Sequence, residues 1–147
     1  MLAVAVVLGV IAAGQAVYIA TRPRPVAIFD YPTQKVLFAT GAEVTVRGTK
    51  CSTAQAPVKL AQVTSWVSVD PPGTVIDVSR AAVTRKPGCR TREYHNPVPA
   101  AVTARTAAIA ASSGAPCVAW RITGVETPSD PNILPGTWTT EPFDLCP

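Results

Sequence analysis

The chain has 147 residues, room for one modest domain, and carries 13 Lys+Arg against 9 Asp+Glu for a formal charge of +4. Charged residues make up 15%, hydrophobic residues 48% and aromatics only 6%, so small aliphatics supply the apolar content. These figures exclude a large two-domain enzyme, a disordered acidic tail and a strongly basic nucleic-acid arm.

From Met1 to Thr21 no side chain is charged, and the polar interruptions are Gln15, Tyr18 and Thr21. A helix of that length, rising about 1.5 Å per residue, spans roughly 30 Å, the thickness of a hydrocarbon core. Residues 1–21 are therefore expected to be a transmembrane anchor. The rival is a cleaved signal peptide: Gly14-Gln15-Ala16 puts small residues where a signal peptidase cuts, after an apolar run from Leu2 to Ala13. Against cleavage, no Lys or Arg precedes the run, and Ala16-Val17-Tyr18-Ile19-Ala20 prolongs its apolar character.

Pro23, Pro25 and Pro32 mark residues 22–34 as a stiff, extended stalk, although Val26-Ala27-Ile28-Phe29 within it could form a first strand. Residues 35–147 are expected to be a β-sandwich domain. Valine far outnumbers leucine there and threonine is frequent, which suits a pleated surface. Ala42, Val44 and Val46 alternate with Glu43, Thr45 and Arg47 as in a half-buried strand. Further strands are expected over 58–69, 74–78, 91–95, 118–125 and 137–145. Pro72-Gly73, Pro87-Gly88 and Pro135-Gly136 have the chemistry of type II turns, and Ser129-Asp130-Pro131-Asn132 that of another turn. About seven short strands separated in this way predict an antiparallel β-sandwich. One Ala-rich segment, Pro99 to Ala111, predicts a short helix, with Val98, Val102 and Ile109 near one face and Ser112-Ser113-Gly114 at its end.

Cys51, Cys89, Cys117 and Cys146 are even in number, far apart and without a C-x-x-C pair, so they read as disulfides rather than a zinc site. Three connectivities are open. Cys117 and Cys146 lie symmetrically about a turn near residues 131–132, as hairpin partners would, with Trp120 opposite Phe143. That favours Cys117–Cys146 and leaves Cys51–Cys89. Structural disulfides need an oxidising compartment, which places the domain outside the cytoplasm. Arg22 and Arg24 oppose that orientation, because positive charge beside a span prefers the cytoplasm. Two arginines weigh less than four cysteines, and the expectation is a single-pass membrane protein with an extracytoplasmic C-terminal domain.

No catalytic constellation is expected, and no cofactor or metal. His95 is the one histidine, at a strand end in Tyr94-His95-Asn96-Pro97, and reads as a surface side chain. Asp70 with Asp77 and Glu141 with Asp144 are the candidate acid pairs, but nothing joins an acid to a base. All the carboxylates read as solvated strand charges. Arg80, Arg85, Lys86, Arg90 and Arg92 form an acid-free basic cluster, read as a loop, that could touch an anionic surface. The small net charge speaks against nucleic acid. Trp66 and Trp120 are expected in the core, while Trp138 divides between core and a sugar-stacking platform.

Ser65-Trp66-Val67-Ser68-Val69-Asp70-Pro71-Pro72-Gly73-Thr74, Trp120-Arg121-Ile122-Thr123-Gly124 and Trp138-Thr139-Thr140-Glu141-Pro142-Phe143 resemble strand motifs of small immunoglobulin-like ectodomains. The chain as a whole resembles single-pass membrane proteins of high-GC actinobacteria or their phages. That resemblance implies an immunoglobulin-like sandwich acting as a binding or envelope-assembly module without catalytic activity, with an envelope protein or an anionic polymer as partner. A phage-encoded version would act at the host envelope. The alternative is a secreted or virion-associated binding module released by cleavage near Ala16.

Overall fold

A computed structural model describes residues 24–147, so the expected anchor over residues 1–21 lies outside the described residues. In chain order the elements are β1 (Phe29–Asp30), β2 (Lys35–Ala39), β3 (Glu43–Ser52), β4 (Val58–Asp70), β5 (Pro72–Arg85), β6 (Gly88–Pro97), α1 (Ala100–Ser113), β7 (Val118–Pro128), β8 (Gly136–Thr139) and β9 (Phe143–Leu145). Among the described residues no helix is long and apolar enough to cross a membrane.

The strands form two antiparallel sheets. In the first, β3 is central, with β6 along one side and β1 and β2 end to end along the other. In the second, the order is β5-β4-β7, and β8 and β9 share the far edge of β7. Counting β1 with β2 and β8 with β9 as broken edge strands gives the seven expected. The expected single strand over 137–145 breaks at Thr140-Glu141-Pro142, where Pro142 has no N–H to give to the ladder. At the break Thr140 Oγ1 accepts from the Ile122 N–H at 3.0 Å.

Alternation places the core. Val44 and Val46 of β3, Leu60 and Trp66 of β4, and Val118, Trp120 and Ile122 of β7 all point between the sheets and are buried. Trp66 meets Phe143 edge to face, with ring centroids 5.4 Å apart. Trp120 pairs across from Phe143, the register inferred from the cysteine spacing. Helix α1 carries the chain from β6 in one sheet to β7 in the other, burying Val102, Thr106, Ile109 and Ala110. Thr106, a poor helix former, accepts the Trp120 indole N–H at 3.0 Å and donates to the Val102 carbonyl at 2.7 Å. Gly114 ends the helix in the left-handed conformation, φ +70°.

Both disulfides have the favoured pairing, Cys51–Cys89 and Cys117–Cys146. The first joins directly opposed residues of β3 and β6. The second clasps the chain just outside β7 and β9. The turns need two corrections. Val69 pairs with Pro72, so Asp70-Pro71, joined by a cis peptide bond, forms the tip, and Gly73 (φ +110°) lies inside β5. Gly88 does have the positive φ that a Pro-Gly turn wants, +87°, whereas Gly136 does not.

The stalk expectation is also corrected, because the described part of residues 22–34 docks on the domain. Val26 bridges Ile133 and Gln34 bridges Thr140, both in parallel, and β1 pairs with β3. The Gln34 N–H donates to the Thr139 carbonyl, and the Glu141 N–H donates back to the Gln34 carbonyl, each at 2.8 Å. Proline leaves the other backbone groups free for such pairing at a sheet edge. These bonds stitch the two sheets together along one side. On the opposite side β5 and β6 end their sheets without pairing to each other.

Candidate functional site: a cavity between the sheets

Between the two sheets, at the side where β5 and β6 are free edges, lies a cavity of about 650 Å³. Its walls are layered because β3 and β7 are. On β3 the inward positions run Val46, Gly48, Lys50; on β7 they run Ile122, Gly124, Glu126. An apolar layer thus gives way to a glycine layer and then to a charged layer.

The glycines make room for side chains from the broken edge strands. A Cβ at Gly48 would collide with the Gln34 side chain, and one at Gly124 with the Trp138 indole. Gln34 and Trp138 fill those gaps, 3% and 7% exposed, and both line the cavity. Among the described residues neither Gln34 Nε2 nor Trp138 Nε1 has a hydrogen-bond partner. Two buried donors left open are costly and unusual in a folded protein.

We expect Gly124→Ala to cost about 1–3 kcal/mol through overpacking against the indole. A shift of the urea midpoint at unchanged slope, with altered tryptophan emission, is the readout; an unmoved midpoint would mean that Trp138 is not seated on Gly124.

In the charged layer Glu126 is 0% exposed. Its Oε1 accepts from Lys50 Nζ at 3.0 Å and Arg85 Nη2 at 2.6 Å, and its Oε2 accepts from Tyr31 Oη at 2.6 Å and Arg85 Nε at 3.3 Å. Arg85 therefore grips the carboxylate with both arms of its fork. Burial pushes the Glu126 carboxyl up, but the bonds from Tyr31, Lys50 and Arg85 outweigh it and hold the group below its ordinary value. Burial depresses the Lys50 ammonium, and Glu126 offsets only part of that. Burial and the bond to Glu126 hold the Tyr31 phenol well above its ordinary value. Burial works against the Arg85 guanidinium, yet its bonds to Glu126 raise it on balance. Aromatic faces surround the cations: Lys50 Nζ is 4.4 Å from the Trp138 ring centroid and 5.7 Å from that of Tyr94.

This group overturns the expectation that all carboxylates are solvated, since Glu126 is sealed inside. Asp70, Asp77, Glu141 and Asp144 are exposed as expected, and none stands beside a base in an acid–base pair. His95 is exposed on the outer face of β6, its Nδ1 3.0 Å from Glu43 Oε1.

The basic cluster is not a loop. Arg80 and Arg85 are on β5, Arg90 and Arg92 on β6, and only Lys86 lies in the connection. Arg85 is withdrawn to the buried carboxylate and is 15% exposed at its side chain. Arg92 lines the cavity, Arg80 lies 3.9 Å from Asp77, and Lys86 and Arg90 face solvent. Trp138 resolves as cavity wall, and the three tryptophans form no exposed platform, each being at most 7% exposed.

No protein-family model and no curated protein matches the chain. Among solved structures it is similar to a protein from Archaeoglobus fulgidus, at 9% identity and a TM-score of 0.47, covering 80% of this chain and 98% of that one. It is also similar to the Pseudomonas fluorescens alkylpurine DNA glycosylase AlkC bound to DNA containing an abasic site analog. That match has 17% identity and a TM-score of 0.46, and covers 82% of this chain but 31% of the glycosylase. A third likeness is to beta-glucosidase 3B from Thermotoga neapolitana in complex with glucose, at 16% identity and a TM-score of 0.40, covering 81% of this chain and 17% of the glucosidase.

Proposed function

We propose that the chain is a non-catalytic binding module, tethered to a membrane through residues 1–21, with an immunoglobulin-like domain outside the cytoplasm. The observation that carries the binding half is the interlayer cavity, lined by Gln34 and Trp138 with their buried, unpartnered N–H donors and, among the described residues, by no carboxylate, histidine or thiol. Such walls suit holding a ligand better than transforming one. The two disulfides support an oxidising compartment.

Several features support the immunoglobulin-like reading. Taken in that scheme, β1/β2, β3 and β6 correspond to strands A, B and E, while β5, β4, β7 and β8/β9 correspond to C′, C, F and G. Trp66 then occupies the buried tryptophan position of strand C. The disulfides depart from the antibody pattern, which links B to F across the sheets; here each ties neighbouring strands of one sheet. The likeness is of architecture and carries no partner with it.

Intact mass of membrane-extracted protein, alkylated without reduction, tests the location. A full-length mass with no alkyl adducts is expected, retained in the membrane fraction after carbonate washing. Four adducts would put the domain in the cytoplasm and overturn the reading. A mass starting after Ala16, recovered in the soluble fraction, would replace the anchored module by a secreted one.

A further inference from the structure

We propose that the cavity binds an amphipathic monoanion, an aliphatic or aromatic carboxylate, with its carboxylate at Gln34 Nε2 and Trp138 Nε1 and its apolar body between the sheets. The inference rests on reading the domain as a binding module and adds the class of ligand. Three independent features converge on it.

The first is charge balance. The buried layer holds two cations, Lys50 and Arg85, against one carboxylate, Glu126, which leaves it one positive charge in excess. Arg92, at the cavity wall but exposed to solvent, adds positive potential without adding to the buried excess, and among the described residues no carboxylate lines the cavity. An uncompensated charge in a low-dielectric space is costly, and one bound negative charge removes that cost.

The second is the sign of the open hydrogen-bonding groups. Both unpartnered atoms are N–H donors, so they call for acceptor oxygens. Gln34 and Trp138 are held in place over Gly48 and Gly124, next to the charged layer along β3 and β7. Both nitrogens are sealed against those glycines, so a carboxylate engages them as the two side chains turn toward it, and there it feels the excess charge beyond.

The third is the rest of the wall. Val46, Trp66, Val78 and Ile122 offer an apolar surface continuous with the glycine layer. A small inorganic anion would leave that surface empty, whereas an apolar chain or ring fills it. A volume of about 650 Å³ lies within the range of small-molecule sites, roughly 300–1,000 Å³.

The test is competition against a neutral reporter, N-phenyl-1-naphthylamine, whose emission rises in apolar surroundings. Decanoate, decanol and decylammonium share one chain and differ only in the head. With the full chain in detergent-free nanodiscs, decanoate should displace the reporter at about tenfold lower concentration than decanol, and decylammonium should be weakest. Gln34→Met and Trp138→Phe each remove one open donor and keep much of the bulk. Each should weaken decanoate severalfold more than it weakens decanol, while thermal stability without ligand holds or rises. A merely structural role for those donors would instead lower stability and affect all three ligands alike. Equal displacement by decanol and decanoate would overturn the carboxylate assignment and leave the binding module standing. If the reporter and all three ligands fail to bind, the cavity is not a ligand site and the binding reading falls with it.

Discussion

Replacing Glu126 by glutamine is expected to destabilise the domain by about 3–5 kcal/mol, the cost of breaking a buried ion pair from one side. Glutamine can still meet Tyr31, but it leaves Lys50 and Arg85 facing each other as uncompensated cations. Lys50→Met should behave very differently. It leaves Arg85 and Glu126 as a neutral, two-armed pair, and it removes a cation whose ammonium form burial already disfavours. We expect it to cost little or to stabilise. The contrast in urea midpoints between the two variants separates charge imbalance from simple loss of a contact, and similar losses in both would refute the ionic account.

The same group sets an acid limit. The folded Glu126 carboxyl lies below its ordinary value of 4.5. Its stabilisation is therefore complete above that value and is lost as pH falls through the folded one, where the native state must take up a proton. Wild type should lose stability on acidification in this window, and Glu126→Gln should show a flatter profile there. Lys50 has the opposite linkage: its folded value is depressed below 10.5, so the unfolded chain binds the proton more readily and stability rises with pH through that window.

Much of this layer was open to a reading by parity. Glu126 shares its parity with Val118, Trp120 and Ile122, and Lys50 shares its own with Val44 and Val46, so alternation alone points both inward. The assumption that charge means solvent hid them. Arg85 could not be found in the same way. Between Thr64 and Ser65 the pairing of β4 with β5 shifts by a residue, and the inward set on β5 changes from Thr74, Ile76 and Val78 to Val83 and Arg85. A strand read with one period throughout puts Arg85 on the outside. Gln34 and Trp138 were hidden for a different reason. Their burial depends on glycines in other strands, and Gln34 bridges a residue more than a hundred positions away along the chain. The docking of residues 24–34 is equally non-local. By contrast β3, β4, β7, the helix and Cys117–Cys146 rest on short-range pattern or hairpin symmetry and were legible, and Cys51–Cys89 followed as the remaining pair.

Removing the disulfides should be the second large effect. The bridges close separations of 38 and 29 residues, and on the chain-entropy model each is worth about 4 kcal/mol. Domains of this size have a total stability of about 5–15 kcal/mol, so reducing both should leave the fold marginal or lost. The two should nonetheless fail differently. Cys117 and Cys146 adjoin β7 and β9, which carry Trp120, Phe143 and Leu145 of the core, and β9 is only three residues long. Without that clasp, Cys117→Ala with Cys146→Ala should let β9 fray first, releasing Phe143 from Trp66 and changing tryptophan emission before the main transition. Cys51 and Cys89 tie β3 to β6, which already pair at ten successive positions from Glu43↔Pro97 to Ser52↔Gly88. Their removal should lower the midpoint in one cooperative step, because the ladder holds the strands and only the unfolded chain gains freedom. Guanidinium unfolding followed by fluorescence and far-UV dichroism distinguishes the cases. Coincident transitions are expected without Cys51–Cys89 and separated ones without Cys117–Cys146. The reverse assignment would mean that the core is held by the β3–β6 sheet rather than by the clasp on β7 and β9.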